Sequence, residues 1–341
     1  MLNFAIVGAG SIAPNYAEAI RLHKETTLAA VCDNNPKVKD GFVKTNSVQK
    51  YYQNYQDLLQ DSSIDVLCIC TPSGMHAEMA IEAIKAGKHI IIEKPIALTL
   101  EEADRVINAA EKYGVKATVA FQKRFNPAVI QTKQKVDNGS FGKMIHANTT
   151  VRWYRDQSYY NQDQWRGTAS MDGGALMNQC IHNIDLLRWM MGPVKKIVGF
   201  TTTRRHQIEM EDVGVSILEF ESGALGVIEG STAIYPIDLE ASISIFGEKG
   251  TAIVGGKYVN ELKEWQFRHE EEAPFKETNK TNDSQSEMIH GEGHYPIIQD
   301  MVSAIKEDKS PAISLQDGRN ALEIILAIYE SSTTGNIIYI N

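Results

Sequence analysis

Asn3-Phe4-Ala5-Ile6-Val7-Gly8-Ala9-Gly10-Ser11-Ile12-Ala13 decides the fold. An apolar run of strand length ends in a G-x-G-x-x-A turn that leads into a helical pattern. In such a turn the first glycine permits the tight bend and the second lets backbone approach a pyrophosphate. The small third residue keeps the helix close to its strand, and the helix N-terminus offers free N–H groups to phosphate. The glycines alone would equally suit a plain turn between core elements. Thr27-Leu28-Ala29-Ala30-Val31-Cys32 reads as a second strand and delivers Asp33 about 20 residues after Ala13, where a carboxylate accepts hydrogen bonds from an adenosine ribose. A 2′-phosphate would meet a like charge there, and Asn34-Asn35-Pro36 brings no arginine, so NAD is expected and NADP disfavoured. Gly8, Gly10, Ser11, Ile12 and Asp33 are the first candidate cofactor contacts.

The chain has 341 residues, more than one core usually serves, so two domains are expected. A formal net charge of -9 and a sequence pI near 5.5 argue against a nucleic-acid partner, which requires a basic face. Cys32, Cys68, Cys70 and Cys180 sit in apolar runs without C-x-x-C spacing and read as reduced core thiols. No charged-then-apolar leader follows Met1 and no apolar run reaches the ~18 residues of a span, so no membrane segment and a cytoplasmic location are expected.

Short apolar runs and helical patterns continue to alternate. Residues 64–70 form a strand apolar on both faces, as under helices in a parallel sheet, and Thr71-Pro72-Ser73-Gly74 breaks it at the edge where such sheets bind ligands. A helix over 76–86 stops at Gly87, a strand follows over 89–92, Thr99 with Glu102 forms a capping box, Gly114 closes that helix, and 116–121 is a further strand. The pattern predicts a doubly wound parallel sheet. Glu93-Lys94-Pro95 follows a wholly apolar strand at the ligand edge, where folding needs no lysine. Pro95 restricts the residue before it and so fixes where the Lys94 ammonium points; the alternative is a solvated loop pair.

From about residue 143 the period changes to strand-like runs over 143–152, 194–203, 212–220, 224–232 and 239–246, predicting an open, largely antiparallel sheet in an α+β domain. Residues 270–293 are polar and aperiodic and read as a long loop; helices over 295–307 and 316–331, the second capped by Ser314 with Asp317, and a short strand within 336–340 complete the chain. The predicted division is a dinucleotide-binding domain over 1–121 and a substrate-binding and oligomerisation domain over 122–341. Between the first two of the later strands lies an apolar helical stretch, 171–189, in which Asn178, His182 and Asp185 share one narrow face. These groups either satisfy one another and nearby backbone, or line a pocket where His182 titrates near neutrality and Asp185 or Asn178 sets its tautomer. Spacing places no third strong ligand beside them, so no metal is expected.

Gly8-Ala9-Gly10 with Asp33, Thr71-Pro72 before His76, Gly87-Lys88-His89 leading to Glu93-Lys94-Pro95, and the Gly173-Gly174 helix with His182 and Asp185 together resemble the Gfo/Idh/MocA oxidoreductases. The resemblance implies an N-terminal Rossmann domain, an open C-terminal sheet used for oligomerisation as a homodimer or homotetramer, and hydride transfer between a nicotinamide and a sugar or polyol carbon. It implies that Lys94 is catalytic, with His182 its acid/base partner at the same alcohol oxygen. It further implies cofactor contacts at Thr71, Pro72, His76, Glu93, Lys94 and Gln122, and substrate contacts at Lys94, Arg124, Asn126, Arg166, Asn178, His182 and His294, with Gln122 a second candidate there. Inositol dehydrogenases of the family carry Asp four residues before the histidine, where this chain has Asn178. Tyr159-Tyr160, Trp165-Arg166-Gly167-Thr168, Asn178-Gln179 and Gly291-Glu292-Gly293-His294 resemble instead the branch oxidising C3 of UDP-N-acetylglucosamine-derived sugars, UDP-N-acetylglucosaminuronate included. The alternatives are an inositol or other sugar dehydrogenase, a redox-neutral NAD-dependent glycosidase, and an NAD-holding regulator without turnover.

Overall fold

In the computed structural model, which describes residues 1–268 and 293–340, two compact units form. One takes in Met1–Gln122 and, among the described later residues, 293–319; the other takes in Lys123 onward to 268 and 320–340. Most of the expected 270–293 loop lies outside the described residues.

In the first unit, β1 (Leu2–Val7), β2 (Thr26–Cys32), β3 (Lys50–Tyr52), β4 (Val66–Ile69), β5 (His89–Ile92) and β6 (Ala117–Val119) form one sheet in the order β3-β2-β1-β4-β5-β6. Every pairing in it is parallel. The order reverses between β1 and β4, which makes the carboxyl ends of those strands the ligand edge. Helices α1 (Ala13–Leu22), α2 (Tyr55–Leu59), α3 (His76–Lys85) and α4 (Leu100–Tyr113) connect the strands. The Thr99–Glu102 capping box has both arms, and Gly114 ends α4 at φ +65°. Strand β3, Lys50-Tyr51-Tyr52, was not expected: three partly exposed residues at a sheet edge show no apolar period.

In the second unit, α5 (Pro127–Asp137), α6 (Gln157–Asn161) and α7 (Ile181–Met191) accompany an eight-stranded sheet. Its strands are β7 (Met144–Arg152), β8 (Val194–Thr202), β9 (Val213–Phe220), β10 (Leu225–Ser231), β11 (Glu240–Gly247), β12 (Gly250–Gly255), β13 (Glu261–Phe267) and β14 (Ile338–Tyr339), ordered β13-β12-β11-β7-β10-β9-β8-β14. Among the described residues of this sheet only β7 and β10 pair in parallel; its remaining pairings are antiparallel. Strands β12 and β13 extend the sheet beyond the expected runs; β13 escapes the pattern because Glu261-Leu262-Lys263-Glu264 is a charged edge segment with no apolar alternation. Helix α7 packs across β7 and β11. On the sheet's other face Phe200, Val215, Ile217, Leu225 and Val227 stand exposed. The remaining helices are α8 (Tyr295–Lys306) and α9 (Leu315–Thr334), the latter begun by Ser314 and Asp317, each donating its backbone N–H to the other's side chain.

The glycine turn shows why its first residue must lack a side chain. Gly8 has φ +89°, and a Cβ there would lie 2.9 Å from both the carbonyl carbon and oxygen of Cys70, atoms fixed in the next strand's exit. Gly8→Ala is expected to destabilise the first unit by about 2–4 kcal/mol and to weaken NAD binding with it. Urea unfolding reads the first effect, and an unchanged midpoint would contradict the packing described.

Candidate active site

The carboxyl end of β2 presents Asp33, whose Oδ2 accepts the Ala9 N–H at 2.7 Å and whose Oδ1 accepts the Asn35 N–H at 2.8 Å. Each oxygen keeps a lone pair for a ribose hydroxyl, and the carboxylate is pinned to the glycine turn itself. Thr71 Oγ1 and Gln122 Oε1 are buried with no hydrogen-bond partner among the described residues. Around Gly10, by contrast, a Cβ would meet nothing within 4 Å. Open space at the turn and orphaned oxygens fit a dinucleotide, which brings hydroxyl and amide donors. Residues Gly8 to Ile12, Asp33, Thr71 and Gln122 are those that would hold it.

Beyond β5 the chain reaches Glu93 and Lys94, and the Lys94-Pro95 peptide is cis. Glu93 is buried at the root of the lysine turn. Its Oε1 accepts from Tyr16 Oη at 2.9 Å and lies 3.1 Å from His294 Nε2, while Oε2 accepts the Lys94 N–H at 3.2 Å. Burial pushes the Glu93 carboxyl up, but the His294 hydrogen bond and charge, the Lys94 charge and the Tyr16 hydrogen bond outweigh it and hold the group below the ordinary glutamate value. Burial and Glu93 together push the Tyr16 phenol well above its usual range, so it remains a donor. His294 thus faces Glu93 and stacks near Tyr16, ring centroids 4.5 Å apart.

His76 is committed to backbone. Its Nδ1 lies 2.7 Å from the Pro95 carbonyl oxygen and its Nε2 2.8 Å from that of Thr71, so the ring staples the turn after β4 to the turn after β5. Burial lowers its pKa.

In the second unit the stretch 171–191 is not one regular helix. Leu176–Cys180 winds as a π-turn and α7 starts at Ile181. A π-turn inside a helix commonly marks a functional site. Asn178 and His182 lie one wide turn apart and are both buried. Asp185 belongs to Arg124: its Oδ1 and Oδ2 accept from Nη2 at 2.5 Å and Nε at 2.8 Å, a bidentate pair with both partners buried. Asn178 Nδ2 donates to Asp172 Oδ1 at 2.5 Å and its Oδ1 accepts from Gln179 Nε2 at 2.6 Å. Arg166 Nη1 donates to Tyr159 Oη at 2.6 Å, and the guanidinium lies over the Tyr159 and Trp165 rings. Asn126 Nδ2 donates to the carbonyls of Tyr258 and Val259 at 3.1 and 3.2 Å.

Four residues of these clusters escape sequence reasoning: Tyr16, Asp172, Glu211 and Tyr329. Glu211 Oε1 accepts the Leu176 N–H at 2.7 Å, and its backbone carbonyl accepts the Ala175 N–H at 3.1 Å, so it caps the start of the π-turn. Gly174, at φ +92°, leaves the space its carboxyl fills. Tyr329 Oη stands 2.5 Å from the Gly173 carbonyl and 3.0 Å from Glu211 Oε1. One phenol proton cannot serve both acceptors, and a protonated Glu211 donating in return resolves the conflict. Burial agrees, pushing the Glu211 carboxyl up to about 8. The one signal in sequence is the Gly173-Gly174 pair, which needs a bulky neighbour to explain it. Among the described residues no three His, Cys, Asp or Glu gather as a metal site, and no helix is long and apolar enough to cross a membrane.

Residues 2–121 match the family model described as oxidoreductase family, NAD-binding Rossmann fold, and residues 129–253 match the GFO/IDH/MocA C-terminal domain. The WlbA dehydrogenase from Bordetella pertussis, crystallised with NADH and UDP-GlcNAcA, is 35% identical, with a TM-score of 0.90 over 100% of this chain and 99% of that one. The WlbA dehydrogenase from Chromobacterium violaceum, also with NADH and UDP-GlcNAcA, is 33% identical, with a TM-score of 0.91 over 100% and 96%. Myo-inositol 2-dehydrogenase of Thermotoga maritima is 26% identical over 94% of this chain and 93% of its own.

Glu211 makes stability depend on pH. Between its ordinary value of 4.5 and about 8 the unfolded chain is ionised while the native state keeps the proton. Its contribution is therefore full below pH 4.5 and is lost as pH rises through 8. Glu211→Gln removes that slope. The variant should gain on the parent by a few kcal/mol, on the order of the shift, between about pH 5 and 8. Tm series across that range should diverge; parallel curves would show that Glu211 is ionised in the native protein.

Proposed function

The chain belongs to the Gfo/Idh/MocA family of NAD-dependent oxidoreductases, and from that premise we propose that this dehydrogenase oxidises the C3 hydroxyl of a UDP-linked N-acetylamino sugar, UDP-N-acetylglucosaminuronate foremost. What carries the reading is likeness over the whole chain, at 33–35% identity, to two dehydrogenases crystallised with UDP-GlcNAcA, against inositol dehydrogenases at 26% over 94% of the chain or 30% over only 61% of it. An amide at Asn178, already engaged by Asp172 and Gln179, also suits a substrate that needs no second carboxylate beside His182.

When bound, NAD would supply the hydride acceptor, held by Gly8 to Ile12, Asp33, Thr71 and Gln122. The protein's task is to bind the alcohol and take its proton, and Lys94 and His182 are assigned to it. An ordinary lysine, with a pKa of ~10.4, is a poor base at neutral pH, but the positive charge of an oxidised nicotinamide bound beside it would disfavour the ammonium and lower that value. An imidazole needs little adjustment. Whichever of the two takes the proton, the other steadies the developing alkoxide. Arg124, Asn126, Arg166, Asn178 and His294 are the further substrate-side assignments. Arg166, its side chain over two aromatic rings and one N–H on Tyr159, is the best shaped of them for a phosphate or carboxylate.

The exposed apolar stripe of Phe200, Val215, Ile217, Leu225 and Val227 supports a homo-oligomer in which a second copy covers the open face of the sheet. Ile217→Asp should shift sedimentation velocity toward the smaller species, and an unchanged assembly would place the interface elsewhere.

Lys94→Ala or Lys94→Met should lower kcat by about a thousandfold while changing NAD affinity less than about threefold. Steady-state rates on UDP-N-acetylglucosaminuronate and titration of NAD fluorescence quenching read the two effects. Equal loss of both would contradict the catalytic assignment, and faster turnover of myo-inositol than of any UDP-sugar would contradict the substrate.

A further inference from the structure

Asp172 lies outside every assignment above, yet it sits at the head of a hydrogen-bonded chain of fixed direction. Its Oδ2 accepts the Gly167 N–H at 2.6 Å and its Oδ1 accepts from Asn178 Nδ2 at 2.5 Å. Asn178 Oδ1 then accepts from Gln179 Nε2 at 2.6 Å. The same Gln179 amine faces Tyr159 Oη at 3.0 Å, and Gln179 Oε1 accepts from Arg155 Nη2 at 3.1 Å. Tyr159 Oη in turn takes Arg166 Nη1 at 2.6 Å. A buried carboxyl group stands at one end and two guanidinium groups at the other.

An amide has two ends of similar size, so nothing in shape alone decides which way Asn178 or Gln179 points. A carboxylate decides it, because it only accepts. With Asp172 ionised, Asn178 must turn its NH2 inward, which presents its oxygen to Gln179 and leaves the Gln179 oxygen for Arg155. Reversing Asn178 would set oxygen against oxygen at one contact and NH2 against NH2 at the other, inside a region from which water is largely excluded.

We infer that Asp172 is a positioning residue: its charge sets the direction of the Asn178-Gln179 amide chain and through it the donors and acceptors that Gln179, Tyr159, Arg155 and Arg166 offer to substrate. The part concerning substrate rests on the nucleotide-sugar reading; the part concerning amide direction does not. The same logic explains why residue 178 is an amide. A carboxylate at 178 would face that of Asp172 at hydrogen-bonding distance, and the two would have to share a proton.

The test is a swap cycle of Asp172→Asn, Asn178→Asp and the double variant. In the double variant the new amide at position 172 still takes the Gly167 N–H on its oxygen and donates from its NH2 to the new carboxylate at position 178. That carboxylate still accepts from Gln179, so the direction survives with the charge moved along by one link. Each single variant should lose about tenfold or more in kcat/KM, chiefly through KM for the UDP-sugar, with NAD affinity retained. The double variant should recover most of that loss, and the three stabilities from urea unfolding should be non-additive in the same sense. Additive stability losses, or a double variant no better than the worse single one, would overturn the inference. Coupled stabilities with kcat/KM unaffected on UDP-sugars the parent oxidises would overturn the positioning role. If the parent turns over no UDP-sugar, the substrate reading fails, and the stability cycle alone decides the amide direction.

Discussion

A carboxylate buried at the end of a parallel strand is the constraint on which the first unit turns. Moving an ionised Glu93 out of water with no partner would cost several kcal/mol, and the group would take up a proton instead. Tyr16 and His294 prevent this, each with a polar atom on Oε1. Tyr16 stands in α1 directly behind the glycine turn, Glu93 precedes Lys94, and His294 leads into α8. One charge therefore ties the helix that receives the pyrophosphate to the turn that carries the lysine. His76 adds a second tie between the same turn and the exit of β4. The role proposed for Lys94 calls for backbone this firmly held, because a displacement of about 1 Å at a reacting centre can cost two orders of magnitude in rate.

The second unit solves a different problem with the same residue types. Three buried carboxyl groups attend the stretch that bears His182, and each is kept in its own state. Asp185 is neutralised by a bidentate arginine, Asp172 is held by a backbone N–H and an amide, and Glu211 is kept protonated by burial. Environment, rather than residue identity, sets the charge. These contacts hold the wide turn at Leu176–Cys180, and His182 follows two residues after it, in the first turn of α7.

Much of this was open to reading from the chain. The G-x-G-x-x-A turn and Asp33 were legible as a cofactor pair about 20 residues apart; that Asp33 also accepts the Ala9 N–H, and so is tied to the turn itself, was not. The Thr99 and Ser314 caps were legible because capping is local chemistry over four residues. Strands β3 and β13 were not, since edge strands are selected for polarity and carry no apolar period. The partners of Glu93 were equally hidden: Tyr16 is 77 residues away and His294 201, and no pattern of spacing announces a pairing made by tertiary packing. Asn178, His182 and Asp185 were legible as one buried stretch, but the groups that bond two of them, Asp172 and Arg124, come from a turn and from another element.

In the proposed reaction hydride leaves a carbon of a nucleotide-linked sugar for the nicotinamide. It is tested most directly by incubating the protein with NAD and UDP-N-acetylglucosaminuronate deuterated at C3, then measuring the label in the reduced cofactor by mass spectrometry. One deuterium at nicotinamide C4 is expected for each 3-keto sugar formed. Reduced cofactor without label, or label delivered only from a deuterated polyol, would contradict it.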